Sequence, residues 1–63
     1  MLKYNVKEIR KKKGISQWKL SEMSGIARAT ISQLENGKEI DVRISTLIAL
    51  SRALNCAPSK LFK

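Results

Sequence analysis

The stretch "TISQLENGK", residues 30–38, closes on Asn36-Gly37, a strong helix stop, because glycine takes the left-handed backbone past a helix end with no Cβ to clash. Just upstream, "SQWKLSEMSG", residues 16–25, opens on a capping serine and also closes on glycine. Two short helices therefore meet at a tight glycine turn. What the corner is for depends on what the second helix shows to solvent. With Ile31 and Leu34 turned inward, Arg28, Ala29, Ser32, Gln33 and Asn36 fall on the outer side at about 100° per residue. That face carries a forked cation, amides, a hydroxyl and a methyl, and no carboxylate.

Outward from this pair, Leu2, Val6 and Ile9 follow a helical spacing that predicts an amphipathic helix over residues 4–13, ended by Gly14, with a basic polar face. Within residues 16–25, Leu20 and Met23 are expected to face inward beside Ser21 and Ser24, leaving Trp18 and Glu22 outside. Ile26 is expected to pack beneath the next helix, which runs over residues 28–35. A loop, "NGKEIDV", leads to "RISTLIALSRALN", where Ile44, Leu47, Ile48, Leu50, Ala53 and Leu54 form the broadest apolar face. Pro58 suits the first turn of a last short helix that returns Leu61 and Phe62 to the core. Helices this short are unstable alone in water, so the second and third must borrow stability from the fourth. The expected fold is all-α, five short helices around one core, in a single domain spanning residues 1–63. No strand pattern, repeat, low-complexity stretch or linker interrupts it.

Sixty-three residues leave room for one core. A lone cysteine, Cys56, excludes an internal disulfide, and without histidine the usual zinc ligand sets are missing, so neither a metal nor a cofactor is expected. Cys56 reads as a buried small hydrophobe. No apolar run approaches the length of a membrane span, and the N-terminus lacks the apolar centre of a signal peptide; the expected compartment is the cytoplasm. Thirteen Lys and Arg oppose five Asp and Glu, a net charge of +8, and "RKKK" at residues 10–13 is continuous. A polyanion is the expected partner, nucleic acid ahead of a membrane surface, since the internal glycine stops break the long amphipathic face a membrane-active peptide uses. The chain has no glycine-rich phosphate cradle followed by Lys and Ser or Thr, and its carboxylates show no acid/base pairing. Catalysis is not expected.

Residues 14–37, "GISQWKLSEMSGIARATISQLENG", together with "STLIALSRALNCAPSKLF", resemble the phage repressor/Cro-type (XRE-like) helix-turn-helix DNA-binding proteins. The resemblance rests on Gln17, Leu20, the Ser24-Gly25-Ile26 turn, Thr30-Ile31-Ser32 and Leu34-Glu35-Asn36-Gly37, all in register. Ala27 departs from it, standing where the family usually has a capping Ser or Thr, and so does Val42, where many members have Pro. The resemblance implies a lambda-repressor-like fold whose third helix lies in the major groove of double-stranded DNA while the second crosses the backbone. It implies a sequence-specific transcriptional regulator, a repressor by occupancy of an operator, and a weak homodimer formed at least on DNA. Dimerisation would rest on the last helix, the loop after Asn36 and the DNA itself. A phage repressor, an autoregulating antitoxin and a restriction-modification controller are not separated by these residues. The alternative is a protein-interaction module of the same fold, an antitoxin or coactivator, which would need an apolar patch in place of the polar face.

On this reading Arg28 is the first choice for guanine O6 and N7; Gln33 pairs with adenine or braces a neighbour, Ala29 meets a thymine methyl, and Ser32 serves a base or a phosphate. Arg28 on phosphate or in solvent, and Ala29 as a plain helix former, stand beside these. Phosphate contacts fall to Gln17 and the free N–H groups beside it, and to Asn36, Lys38 and Arg43. Lys11, Lys12 and Lys13 supply a field or a solvated face. Glu35, an anion close to the expected phosphates, needs a neutraliser; Arg10 is the natural one, and the resemblance pairs these positions structurally. Trp18, on the outer side of its helix, reads first as a partly exposed packing cap, with a sugar-phosphate contact or a partner surface as its other readings.

Overall fold

Each helix begins and ends for a local reason. The computed structural model describes residues 4–37 and 42–61, which form α1 (Val6–Lys12), α2 (Gln17–Ser24), α3 (Arg28–Glu35), α4 (Ile44–Ala53) and a closing 3-10 turn (Pro58–Leu61). At the start of α2 the Ser16 hydroxyl accepts the Lys19 N–H at 3.0 Å. At its end Gly25 stands at φ +75°, in the left-handed region. Two serines then knit the corner into α3. Ser21 Oγ donates to the Ile26 carbonyl at 2.7 Å, while Ser24 Oγ donates to the Leu20 carbonyl at 2.7 Å and accepts the Ile26 N–H at 3.1 Å. The backbone groups of a tight turn are thus satisfied by its own side chains, which fixes the angle between α2 and α3.

Every helix contributes to one core of Val6, Leu20, Ile31, Leu34, Leu47, Leu50, Leu54 and Leu61, with Tyr4, Ile9, Ile15, Ile26, Val42, Ala53 and Cys56 packed around it. Full burial of such a side chain is worth about 1.5–3 kcal/mol, and this is what makes helices of eight residues persist. The Asn5 N–H donates to the Leu61 carbonyl at 2.7 Å, bringing the start of α1 against the 3-10 turn.

Several expectations are corrected. The first helix starts at Val6, two residues later than expected, and the expected fifth helix is a 3-10 turn. On α4 the inward stripe is Leu47, Leu50, Ser51 and Leu54. Ser51 takes a core position because its hydroxyl donates to the Ile48 carbonyl at 2.7 Å and so enters the interior satisfied. The helix carries more apolar residues than one stripe holds, and Ile44 and Ile48 fall on the adjoining face, 69% and 37% exposed. Met23, expected beside Leu20, is also exposed. Trp18 stands 63% exposed on the outer side of α2. Cys56 is half-buried against the core. Leu2 and Phe62, both expected in the core, lie outside the described residues.

Ala27 sits at the N-cap of α3 with extended backbone (φ −57°, ψ 137°) and offers no side-chain acceptor. Ala27→Ser should stabilise the protein by about 0.5–2 kcal/mol by satisfying an N–H of the first turn. Thermal melting measures it; an unchanged melting temperature would mean that this end of the helix gains nothing from a cap.

Candidate nucleic-acid interface

The outer face of α3 is held in place from behind. Ile31 and Leu34 are buried, and between them and solvent the helix presents Arg28, Ala29, Gln33 and Asn36 exposed and Ser32 half-buried. Arg28 and Gln33 make no side-chain hydrogen bond among the described residues, so a guanidinium fork and a full amide are open to an incoming group. Asn36 Nδ2 donates to Ser32 Oγ at 3.3 Å, one turn apart. With that lone pair engaged, the Ser32 proton is left to be given outward.

Beside this face lies a buried ionic cluster. Arg10 Nε donates to Glu35 Oε2 at 2.7 Å and its Nη2 to Oε1 at 3.0 Å, while Nη1 donates to the Ile15 carbonyl at 2.8 Å. Both residues are nearly sealed, Arg10 at 8% and Glu35 at 6% exposed. Burial pushes the Glu35 carboxyl up, but hydrogen bonds from Arg10 and Gln17, with the positive charges of Arg10 and Lys7, outweigh it and hold the group below its ordinary value. The hydrogen bond to Glu35 correspondingly raises Arg10. No buried side-chain nitrogen or oxygen among the described residues is left without a partner.

Gln17 joins this cluster, its Nε2 donating to Glu35 Oε1 at 2.9 Å. That bond is hinted at in the sequence only by the fact that a carboxylate accepts more hydrogen bonds than one guanidinium provides. The remaining N–H of the Gln17 amide, and the backbone N–H groups of Gln17 and Trp18 ahead of the first helical bond, stay available at the start of α2. Arg43 is exposed at the N-cap of α4. A cation there meets the positive end of the helix dipole, so the helix itself gains nothing from it. Lys11, Lys12 and Lys13 are exposed around the C-terminal end of α1, where the dipole favours them. Lys38 lies outside the described residues. Among the described residues no helix is long and apolar enough to cross a membrane.

Because Glu35 is held below its ordinary value of 4.5, it contributes stability that is fully present above that value and lost as pH falls through the depressed one. Melting temperature should therefore drop as pH is lowered from about 6 to about 3, and Glu35→Gln should show a smaller drop over the same range. Glu35→Ala at neutral pH should cost about 3–5 kcal/mol, because it strands a buried guanidinium. Equal acid sensitivity of wild type and Glu35→Gln would assign the pH dependence to other carboxyls.

The helix-turn-helix family pattern matches residues 6–61. The uncharacterized HTH-type transcriptional regulator YozG of Bacillus subtilis (strain 168) is 39% identical over 59 residues, 94% of this chain and 70% of that protein. The control protein C.SmaI of Serratia marcescens is 43% identical over 61 residues, 97% of this chain and 71% of its own length. Among solved structures, the restriction-modification controller protein C.AhdI from Aeromonas hydrophila superposes with a TM-score of 0.84 at 33% identity, covering 92% of this chain and 86% of that one. With the family pattern matched over residues 6–61 and relatives 39% and 43% identical over nearly its whole length, this chain belongs to the helix-turn-helix family of transcriptional regulators.

Proposed function

We propose that the protein is a sequence-specific, double-stranded DNA-binding transcriptional regulator that acts in the cytoplasm by occupying an operator, as a repressor, with α3 in the major groove. The observation that carries this reading is the face of α3: a free guanidinium, an open amide and a proton-donating hydroxyl, without a carboxylate, on a chain of net charge +8. Arg28 forks onto guanine O6 and N7, Gln33 meets adenine, Ala29 a thymine methyl and Ser32 an acceptor on a base or phosphate. Gln17, Asn36, Lys38 and Arg43 hold phosphates and set the register. The relatives named as a transcriptional regulator and as control proteins support a role in gene control. A protein-binding module would present an apolar surface where α3 presents polar groups, and the chemistry on display is binding rather than catalysis.

The active form on DNA is a two-fold homodimer. Ile44 and Ile48, neighbours one turn apart on the exposed side of α4, are apolar side chains that support this beside the last helix and the loop after Asn36, whose residues 38–41 lie outside the described residues. Two copies of net charge +8 repel, so association is weak until phosphates neutralise them.

In-vitro selection from random duplexes should return a two-fold site with half-site centres about 34 Å apart. Arg28→Ala should cost about 1–3 kcal/mol on that site and flatten selectivity at one base pair per half-site, with little change on random duplex. Equal losses on every duplex would move Arg28 to phosphate. Ile44→Ser/Ile48→Ser should leave binding to a single half-site unchanged and remove cooperativity on the full site, read by mobility shift; retained cooperativity would place the dimer contact elsewhere.

A further inference from the structure

Glu35 does more than balance Arg10. Its Oε1 accepts the Gln17 amide at 2.9 Å as well as Arg10 Nη2 at 3.0 Å, so one buried oxygen joins the end of α3 to the start of α2. A carboxylate only accepts, so Gln17 must turn its NH2 end toward it, and the second N–H of the same nitrogen remains to be donated. A glutamine side chain otherwise samples many rotamers, and freezing them is a cost of association. Here the carboxylate that would freeze it is itself sealed and held by two bonds from the guanidinium.

We infer that Glu35 is a positioning residue for DNA binding: through Gln17 Nε2 it presets an N–H donor at the N-terminus of α2 for a phosphate oxygen before DNA arrives. This rests on the reading in which Gln17 meets phosphate. It explains how an anion can sit beside the expected phosphate path: Arg10 cancels the charge, while the carboxylate sets the direction of a neighbouring donor. Every duplex has the same phosphate chemistry, so the effect is on grip and not on sequence preference.

The test removes Gln17 in two backgrounds, the wild type and Arg10→Met/Glu35→Met, in which both buried charges are replaced by apolar side chains of similar length. In wild type, Gln17→Ala should weaken binding about two- to tenfold, alike on preferred and random duplex. In the Arg10→Met/Glu35→Met background, shown to be folded by a cooperative melt, the same change should cost less than about twofold, because the amide there is no longer preset. A second measurement needs no variant: 15N relaxation of side-chain amides in the free protein should find Gln17 ordered and the exposed Gln33 mobile. Wild type that binds no duplex would overturn the underlying reading. Wild type that binds, but with equal Gln17→Ala losses in both backgrounds or with Gln17 as mobile as Gln33, overturns this inference alone.

Discussion

The buried fork between Arg10 and Glu35 is the interaction on which the arrangement of the helices depends. Apolar burial supplies most of the favourable energy, but it is non-directional, and eight aliphatic side chains can be packed with the helices turned by small angles. A bidentate guanidinium–carboxylate pair does not tolerate such rotation. Arg10 comes from α1, Glu35 from the last turn of α3, Gln17 from the first turn of α2 and the Ile15 carbonyl from the connection between α1 and α2. Removing two charges from water is costly, and the cost is offset only because the remaining donors and acceptors are used. The carboxylate accepts from both partners, and the guanidinium spends its third nitrogen on Ile15. The pair therefore defines the fold more than it strengthens it.

Legibility in the sequence followed the range of the interaction. Ser16, Gly25 and Gly37 act within a turn of the chain, and the helix ends they set stand where the sequence put them, as does the corner between α2 and α3. The Arg10–Glu35 contact was reachable because a carboxylate near expected phosphates demands a neutraliser. The Gln17–Glu35 bond was not, since it depends on the angle at which α2 meets α3 across 18 residues. Side-chain orientation on α4 failed for another reason. Apolar pattern alone cannot choose among overlapping stripes when Ile44, Leu47, Ile48, Leu50 and Leu54 are all apolar. The observed stripe includes Ser51, a polar residue that enters the core satisfied because it bonds its own helix, and a polar residue gives an apolar pattern no sign of being inside. The 3-10 geometry at Pro58–Leu61 was likewise hidden, because proline opens either kind of helix.

Charges on this small protein fall into groups with different causes. Lys11, Lys12 and Lys13 lie where the dipole of α1 favours cations, so part of their presence belongs to the helix. Arg10 belongs to the interior. Arg43 lies at the wrong end of α4 for its charge, and Arg28 starts α3; among the described residues the fold accounts for neither cation. Both flank the face of α3 by sequence, one at its start and one beyond the loop that follows it, where the proposed reading places the DNA.

The same charge that draws the protein to DNA opposes its self-association, and the balance follows from size. A chain of 63 residues with +8 charge has little surface on which to dilute repulsion, and Ile44 and Ile48 are a small apolar patch against it. On the proposed reading, phosphates contribute twice: each subunit gains its own contacts, and the field that separates the subunits is cancelled. Added salt then acts in opposite directions on the two steps. It weakens the grip on phosphate by competing for it, and it screens the repulsion between free subunits. On that reading the nucleic acid itself supplies the condition under which two copies meet, because it cancels the charge that holds them apart.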